Sequence, residues 1–174
     1  MQYCPVCGEE VINPVGSNDC DYLIIEEFSE LVLPPPAITS RWQKNDWTPR
    51  KILVNELAKV GMVLQQFRIV SVYPHLTPES GQPNEDCYAT GLSFAMDEIH
   101  NKLGIIILGT NLCKEFTGYE LKQVCGLSNV PYLLGHDTGD MPRVFLPTIR
   151  SIYSTGSGEF RIGLQRFVKQ LGVE

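Results

Sequence analysis

Near the middle of the chain stands Gly104-Ile105-Ile106-Ile107-Leu108-Gly109-Thr110. Four consecutive apolar residues, three of them β-branched, lie between glycines. Such a run reads as a strand buried on both faces, as in a parallel sheet covered by helices. The segment before it is helical in pattern: Leu92, Ala95, Met96, Ile99 and Leu103 are spaced for one buried face. After it, Asn111 to Phe116 and Glu120 to Val124 read as two short helices. The strand therefore sits at the crossing of two βα units.

The same alternation extends outward in both directions. Tyr22-Leu23-Ile24-Ile25 reads as the first buried strand, ending at Glu26-Glu27. Ligands of open α/β sheets gather at such carboxyl ends, although a solvated strand end carries the same residues. Thr48-Pro49 opens a helix with Ile52, Leu53, Leu57 and Val60 on one face, and Gly61 closes it. Phe67 to Val72 is the second strand, and Asp86 is placed to cap the helix that follows the Pro-rich loop 73–85. Tyr132-Leu133-Leu134 is a candidate short strand, and Val144-Phe145-Leu146 the last one. A loop is expected over Ile149 to Gly158, then a regular helix with Phe160, Leu164, Phe167, Val168 and Leu171, closed by Gly172. Strands alternating with helices predict a single α/β domain with a mostly parallel sheet of four strands.

With 174 residues the chain suits one domain with a full core. No apolar run reaches membrane-spanning length and no charged-then-apolar leader opens the chain, so a soluble intracellular protein without a membrane partner is expected. Net charge is −6, which alone argues against a nucleic-acid binder. The charge is unevenly distributed: residues 1–40 hold seven acids and no Lys or Arg, whereas 41–68 hold six basic and two acidic residues. Residues 69–140 are again acidic, and 141–174 carry five basic residues against two acids. In the first basic block Trp42 and Trp47 stand among Arg41, Lys44 and Arg50. Aromatics interleaved with cations can stack bases and hold phosphates; they can equally pin a loop to the core.

There are six cysteines. Cys4-Pro5-Val6-Cys7-Gly8 is a knuckle: two thiolates at this spacing can share one metal, and Gly8 permits the tight turn that aims backbone N–H groups at sulfur. The expected ligand set is Cys4, Cys7, Cys20 and Cys87, with His75 as a substitute, and four such ligands allow a [4Fe–4S] cluster or Zn²⁺. Cys113 and Cys125 fall in patterns of buried helix, where a free cysteine is a small hydrophobe.

Laid out this way, the chain resembles the uracil-DNA glycosylase superfamily, in particular its iron–sulfur, family 4-like branch. The resemblance runs over nearly the whole chain. It rests on Cys4 and Cys7 ahead of the first strand and on a Gly-ended helix leading to a second strand and a Pro-rich loop. Cys87 opening a helix, Leu108-Gly109 ending an apolar strand, and Leu146-Pro147-Thr148 ending a late strand complete it. It implies a three-layer sandwich over residues 1–174 with 1–20 as the cysteine knuckle. It also implies DNA as a partner, a replication or repair protein as another, and a cytoplasmic setting in a bacterial or phage-infected host cell.

The chain departs from the family's pattern where the chemistry lies. The Gly-rich first turn, whose acidic or amide residue positions water, reads here Glu26-Glu27-Phe28-Ser29-Glu30. The strand-two Asn that reads the base edge falls on Ser71. The late His-Pro-Ser type loop reads Ile149-Arg150-Ser151-Ile152-Tyr153-Ser154, without His. The resemblance therefore implies Glu27, Ser71 and Arg150 as the candidate catalytic positions, and Arg150 and Ser151 on the DNA-facing side. Three altered positions together predict a catalytically degenerate, DNA-associated module; the alternative is an active glycosylase for uracil or another modified base.

Overall fold

The computed structural model describes residues 3–29, 31, 49–73, 84–125, 127 and 141–172. Four strands, β1 (Tyr22–Phe28), β2 (Phe67–Tyr73), β3 (Gly104–Leu108) and β4 (Arg143–Leu146), form one sheet in the order β2-β1-β3-β4. Every pair is parallel. The glycine-bounded strand β3 is central, pairing Ile105 with Leu23 on one side and with Arg143 on the other.

Helices cover both faces, giving three layers. Between the strands run α1 (Pro49–Lys59), α2 (Glu85–Asp97), α3 (Thr110–Thr117) and α4 (Leu121–Val124); α5 (Ile149–Thr155) and α6 (Gly158–Leu171) follow β4. Strand alternation sorts the core into two halves. Ile24, Ile69, Ile106 and Leu146 meet Leu53 and Leu57 of α1 and Leu164 and Phe167 of α6. Leu23, Ile25, Val70, Ile105 and Ile107 meet Leu92 and Ala95 of α2, Phe116 of α3 and Val124 of α4. Burial on both faces is why β3 reads as an unbroken apolar run.

Several elements differ from the sequence expectation, each for a local reason. Asn84, not Asp86, caps α2: its side chain accepts from the N–H groups of Asp86 and Cys87 at 3.0 and 3.2 Å. Leu103 lies beyond the end of α2 and is exposed. The expected loop after Pro147 is largely the helix α5, because Thr148 accepts from the Ser151 N–H and so caps a first turn. The candidate strand at Tyr132-Leu133-Leu134 and the Thr48 cap lie outside the described residues. Among the described residues no helix is long and apolar enough to cross a membrane.

Candidate metal centre and sheet-edge crevice

The knuckle folds as a small hairpin. Tyr3 and Glu10 form an antiparallel bridge, Cys4 N–H donates to the Glu9 carbonyl at 2.8 Å, and Gly8 N–H donates to the Cys4 carbonyl at 2.9 Å. Gly8 takes φ +75°, a left-handed conformation that suits glycine. Cys87 is the third residue of α2, held in place by the Asn84 cap. The Sγ atoms of Cys4, Cys7 and Cys87 all lie within 4.8 Å of one another, and the Cys4–Cys87 separation is 3.7 Å. Three cysteines from two distant segments thus form a group able to hold a metal ion.

The centre is half sheltered. Cys4 and Cys87 are buried against Tyr73 at the end of β2, with Phe28 packed edge-to-face on the Tyr73 ring, and Cys7 is exposed. Burial, then the neighbouring Cys7 and Cys4, pushes the Cys87 thiol up to about 12. Metal binding would therefore displace a proton from Cys87.

Cys20, the expected fourth ligand, is not part of this group. Its thiol donates to the Gln65 carbonyl at 3.4 Å, below the start of β2. Val15 bridges Ile69, so the segment after the knuckle runs back along the edge of β2 and enters β1 from the amino end of the sheet. Cys87 instead follows the carboxyl end of β2. The six steps from Phe67 to Tyr73 span about 20 Å at about 3.3 Å per residue, so one ion cannot serve both ends. His75 lies outside the described residues. Cys113 and Cys125 pack with the apolar core under α3 and α4, as the pattern of those helices predicts.

The second feature is a crevice of about 230 Å³ at the carboxyl ends of β1, β3 and β4. Its walls are Glu26 to Phe28, Leu108 to Asn111, and Thr148 to Arg150, with Leu31 closing one side. From β1 the chain passes to β2 on one side and later to β3 on the other, so the crevice lies at the topological switch point of the sheet. It is smaller than the roughly 300–1,000 Å³ of drug-sized ligand sites, and suits a group of about one ring.

Glu26 and Glu27 are both buried, so the solvated strand end is excluded. Glu26 accepts from the Leu31 N–H on both carboxylate oxygens, at 3.1 and 3.0 Å, and from the Ser71 hydroxyl at 3.3 Å. Glu27 accepts from the Asn111 side-chain amide at 3.0 Å. The Tyr88 hydroxyl is shifted upward by burial first, then by the negative charges of Glu27 and Glu115.

Of the candidate catalytic residues, Glu27 and Arg150 line this crevice. Ser71 does not: it reaches it only through Glu26, and lines a separate groove along the outer edge of β2. Among the residues expected to bind DNA, Arg150 is exposed at the start of α5, and Ser151 is engaged in the Thr148 cap. Arg50 donates its Nε–H to the Leu31 carbonyl and so fastens the chain beside Glu26. Arg41, Trp42, Lys44 and Trp47 lie outside the described residues. Asn111 was not singled out from the sequence, and Thr148 only as part of a strand-ending motif; a polar residue two or three positions past the end of a buried strand is the signal that would have found both. Comparison of the chain with models of known protein families and with curated proteins finds no match.

Proposed function

We propose that this chain is a uracil-DNA glycosylase-like, catalytically degenerate module that associates with DNA, with a replication or repair protein as a further partner. The observation that carries the reading is the crevice. It occupies the switch point of an all-parallel sheet, where a base would be seated, while the groups around it are engaged with the fold. The Ser71 hydroxyl is turned to Glu26, and the Glu26 oxygens to Leu31 and Ser71. Beyond Leu146 the wall is Thr148, Ile149 and Arg150, and among the described residues no imidazole lines the crevice to stabilise charge on a departing base. Losing one such transition-state donor typically costs about 10²–10³ in rate. The proposed setting is the cytoplasm of a bacterial or phage-infected cell, where thiols stay reduced and able to hold a metal.

DNA association rests on Arg150 at the crevice rim and on the basic, Trp-containing stretch 41–47. The test is fluorescence anisotropy with labelled single- and double-stranded oligonucleotides across a salt series. Binding is expected with Kd about 10⁻⁴–10⁻⁶ M, weakening steeply as salt rises. Arg150→Glu should weaken it several-fold. No anisotropy change at about 100 μM protein, at low salt, would overturn the reading.

One contact favours the second reading, an active glycosylase. The Asn111 amide fixes one oxygen of Glu27 inside the crevice, and an oriented carboxylate is what positions an attacking water. There the water oxygen would bond to the sugar C1′ and pass a proton to the Glu27 carboxylate as the C1′–N bond breaks. The base would leave with the electron pair, beside the positive charge of Arg150. Excision that depends on Glu27 separates the two readings. In both, the cysteine centre is structural; a [4Fe–4S] cluster and Zn²⁺ are its two candidate occupants.

A further inference from the structure

We infer that Cys4, Cys7 and Cys87 hold a single zinc-class ion rather than a [4Fe–4S] cluster, and that this ion clamps the amino-terminal hairpin to α2. The inference rests on the metal-site part of the reading above and not on the DNA part, so metal analysis and DNA binding fail separately.

The sulfur spacing carries the argument. Ligands that share one tetrahedral ion at Zn–S about 2.3 Å stand about 3.8 Å apart. Cys4 and Cys87 are 3.7 Å apart, and the third sulfur is within 4.8 Å of each. In a cubane each thiolate binds a different iron, which spreads the sulfurs well beyond a single ion's tetrahedron. The backbone that carries two of these sulfurs is anchored. Cys4 is held by its backbone bond to Glu9, and Cys87 by the Asn84 cap and the packing on Tyr73.

The space around the centre agrees. A groove of about 760 Å³ runs between the hairpin segment and α2, with Cys4 and Cys87 at one end of it. Cys7 is not on its wall, so the three sulfurs converge beside the groove rather than within it. A single ion between the three sulfurs needs no such room. The fourth coordination position is left to solvent or to a donor outside the described residues.

The clamp has a mechanical consequence. One wall of the groove is the hairpin segment, with Tyr3, Val11 and Ile12; the other is α2, with Thr90 and Phe94. The ion joins the two walls at Cys4 and Cys87. Releasing it should free the hairpin and open the backbone at Glu9 and Glu10, whose side chains already face solvent, to a Glu-specific protease.

The test is elemental and sulfide analysis of the full chain, purified anaerobically from cells supplied with both iron and zinc. The expected result is about one zinc per chain, with no stoichiometric iron or sulfide. Cys4, Cys7 and Cys87 should resist alkylation until a chelator is added, whereas Cys113, buried in the core, stays protected throughout; cleavage at Glu9 or Glu10 should accelerate at least tenfold on chelation. Cys7→Ser should reduce bound zinc at least tenfold, and Cys20→Ser should leave it unchanged. Should Cys7→Ser fail to fold, Co²⁺ titration of the wild-type chain serves instead: saturation at about one equivalent, with thiolate-to-cobalt charge-transfer absorption, supports the single ion. About four iron and four sulfide per chain, with broad absorption near 400 nm, would overturn the inference. So would a folded chain without metal whose Cys7 reacts as readily before a chelator is added as after it, or a Cys20→Ser variant that loses the metal.

Discussion

Glu26 and Glu27 are neighbours on β1, yet strand alternation sends them to opposite faces of the sheet. Glu26 turns to the α1 and α6 side and holds the chain at Leu31; Glu27 turns to the α3 side and takes the Asn111 amide. Two identical side chains in sequence therefore have different work. Glu26→Ala leaves the Leu31 N–H buried without its acceptor, and should cost about 1–3 kcal/mol in urea unfolding. Ser71→Ala should cost about 0.5–1.5 kcal/mol, since Glu26 keeps its backbone partner. Gly104 is a separate packing constraint: a Cβ there would come within 2.8 Å of the Phe167 ring and 2.9 Å of Leu171. Gly104→Ala should cost about 1–3 kcal/mol by pushing α6 away from β3, read as a lower midpoint with an unchanged denaturant slope.

At the scale of elements, α1 and α6 are joined by a charged cluster. Glu56 of α1 is buried and accepts from Arg161 of α6 at 3.2 and 3.3 Å and from Lys59 at 3.1 Å. Burial alone would raise the Glu56 carboxyl, but the bonds and charges of Arg161 and Lys59 outweigh it and hold it below the ordinary carboxylate value. A carboxyl that is depressed in the folded state stabilises above its unfolded pKa, and that contribution is lost as pH falls through the folded value. The stability gap between wild type and Glu56→Gln, measured by urea unfolding, should therefore be full near pH 7. It should narrow as pH drops below about 4. A gap that widens in acid would contradict the assignment.

The elements also differ in how far the sequence reveals them. β3 is legible because four apolar residues between glycines leave no exposed face, and α6 because its apolar stripe is regular. α5 is not legible: it is two turns long, its two core contacts, Ile149 and Ile152, are too few to set a stripe, and the Thr148 cap is its main mark. The C-x-x-C knuckle predicts two ligands, and Cys87 at the head of a helix a third. Spacing along the chain did not reveal that Cys20 lies at the other end of the sheet, because the Val15–Ile69 bridge that carries it there is a tertiary contact. The same holds for Glu27 and Asn111, which are 84 residues apart and meet only because β1 and β3 are adjacent.

At the scale of the molecule, a parallel sheet holds two features at its carboxyl end: a cysteine centre beside β2 and a crevice between β1 and β3. The first fastens the amino-terminal hairpin, and the second is where a ligand would enter. Removing the metal should lower the thermal midpoint by several degrees while leaving the sheet intact, read by far-ultraviolet circular dichroism with and without chelator. Under the proposed function, the acidic balance of the chain would keep DNA affinity modest and leave contact to the local basic segments.

Catalytic degeneracy is decided by excision on end-labelled single- and double-stranded DNA carrying uracil, made with metal-loaded protein under conditions where binding is measured in parallel. The expected result is bound DNA and no abasic sites above the uncatalysed background, with Glu27→Gln indistinguishable from wild type. Abasic sites that accumulate with time and fall at least 100-fold in Glu27→Gln would contradict it, and would make the Glu27–Asn111 pair the heart of an active enzyme.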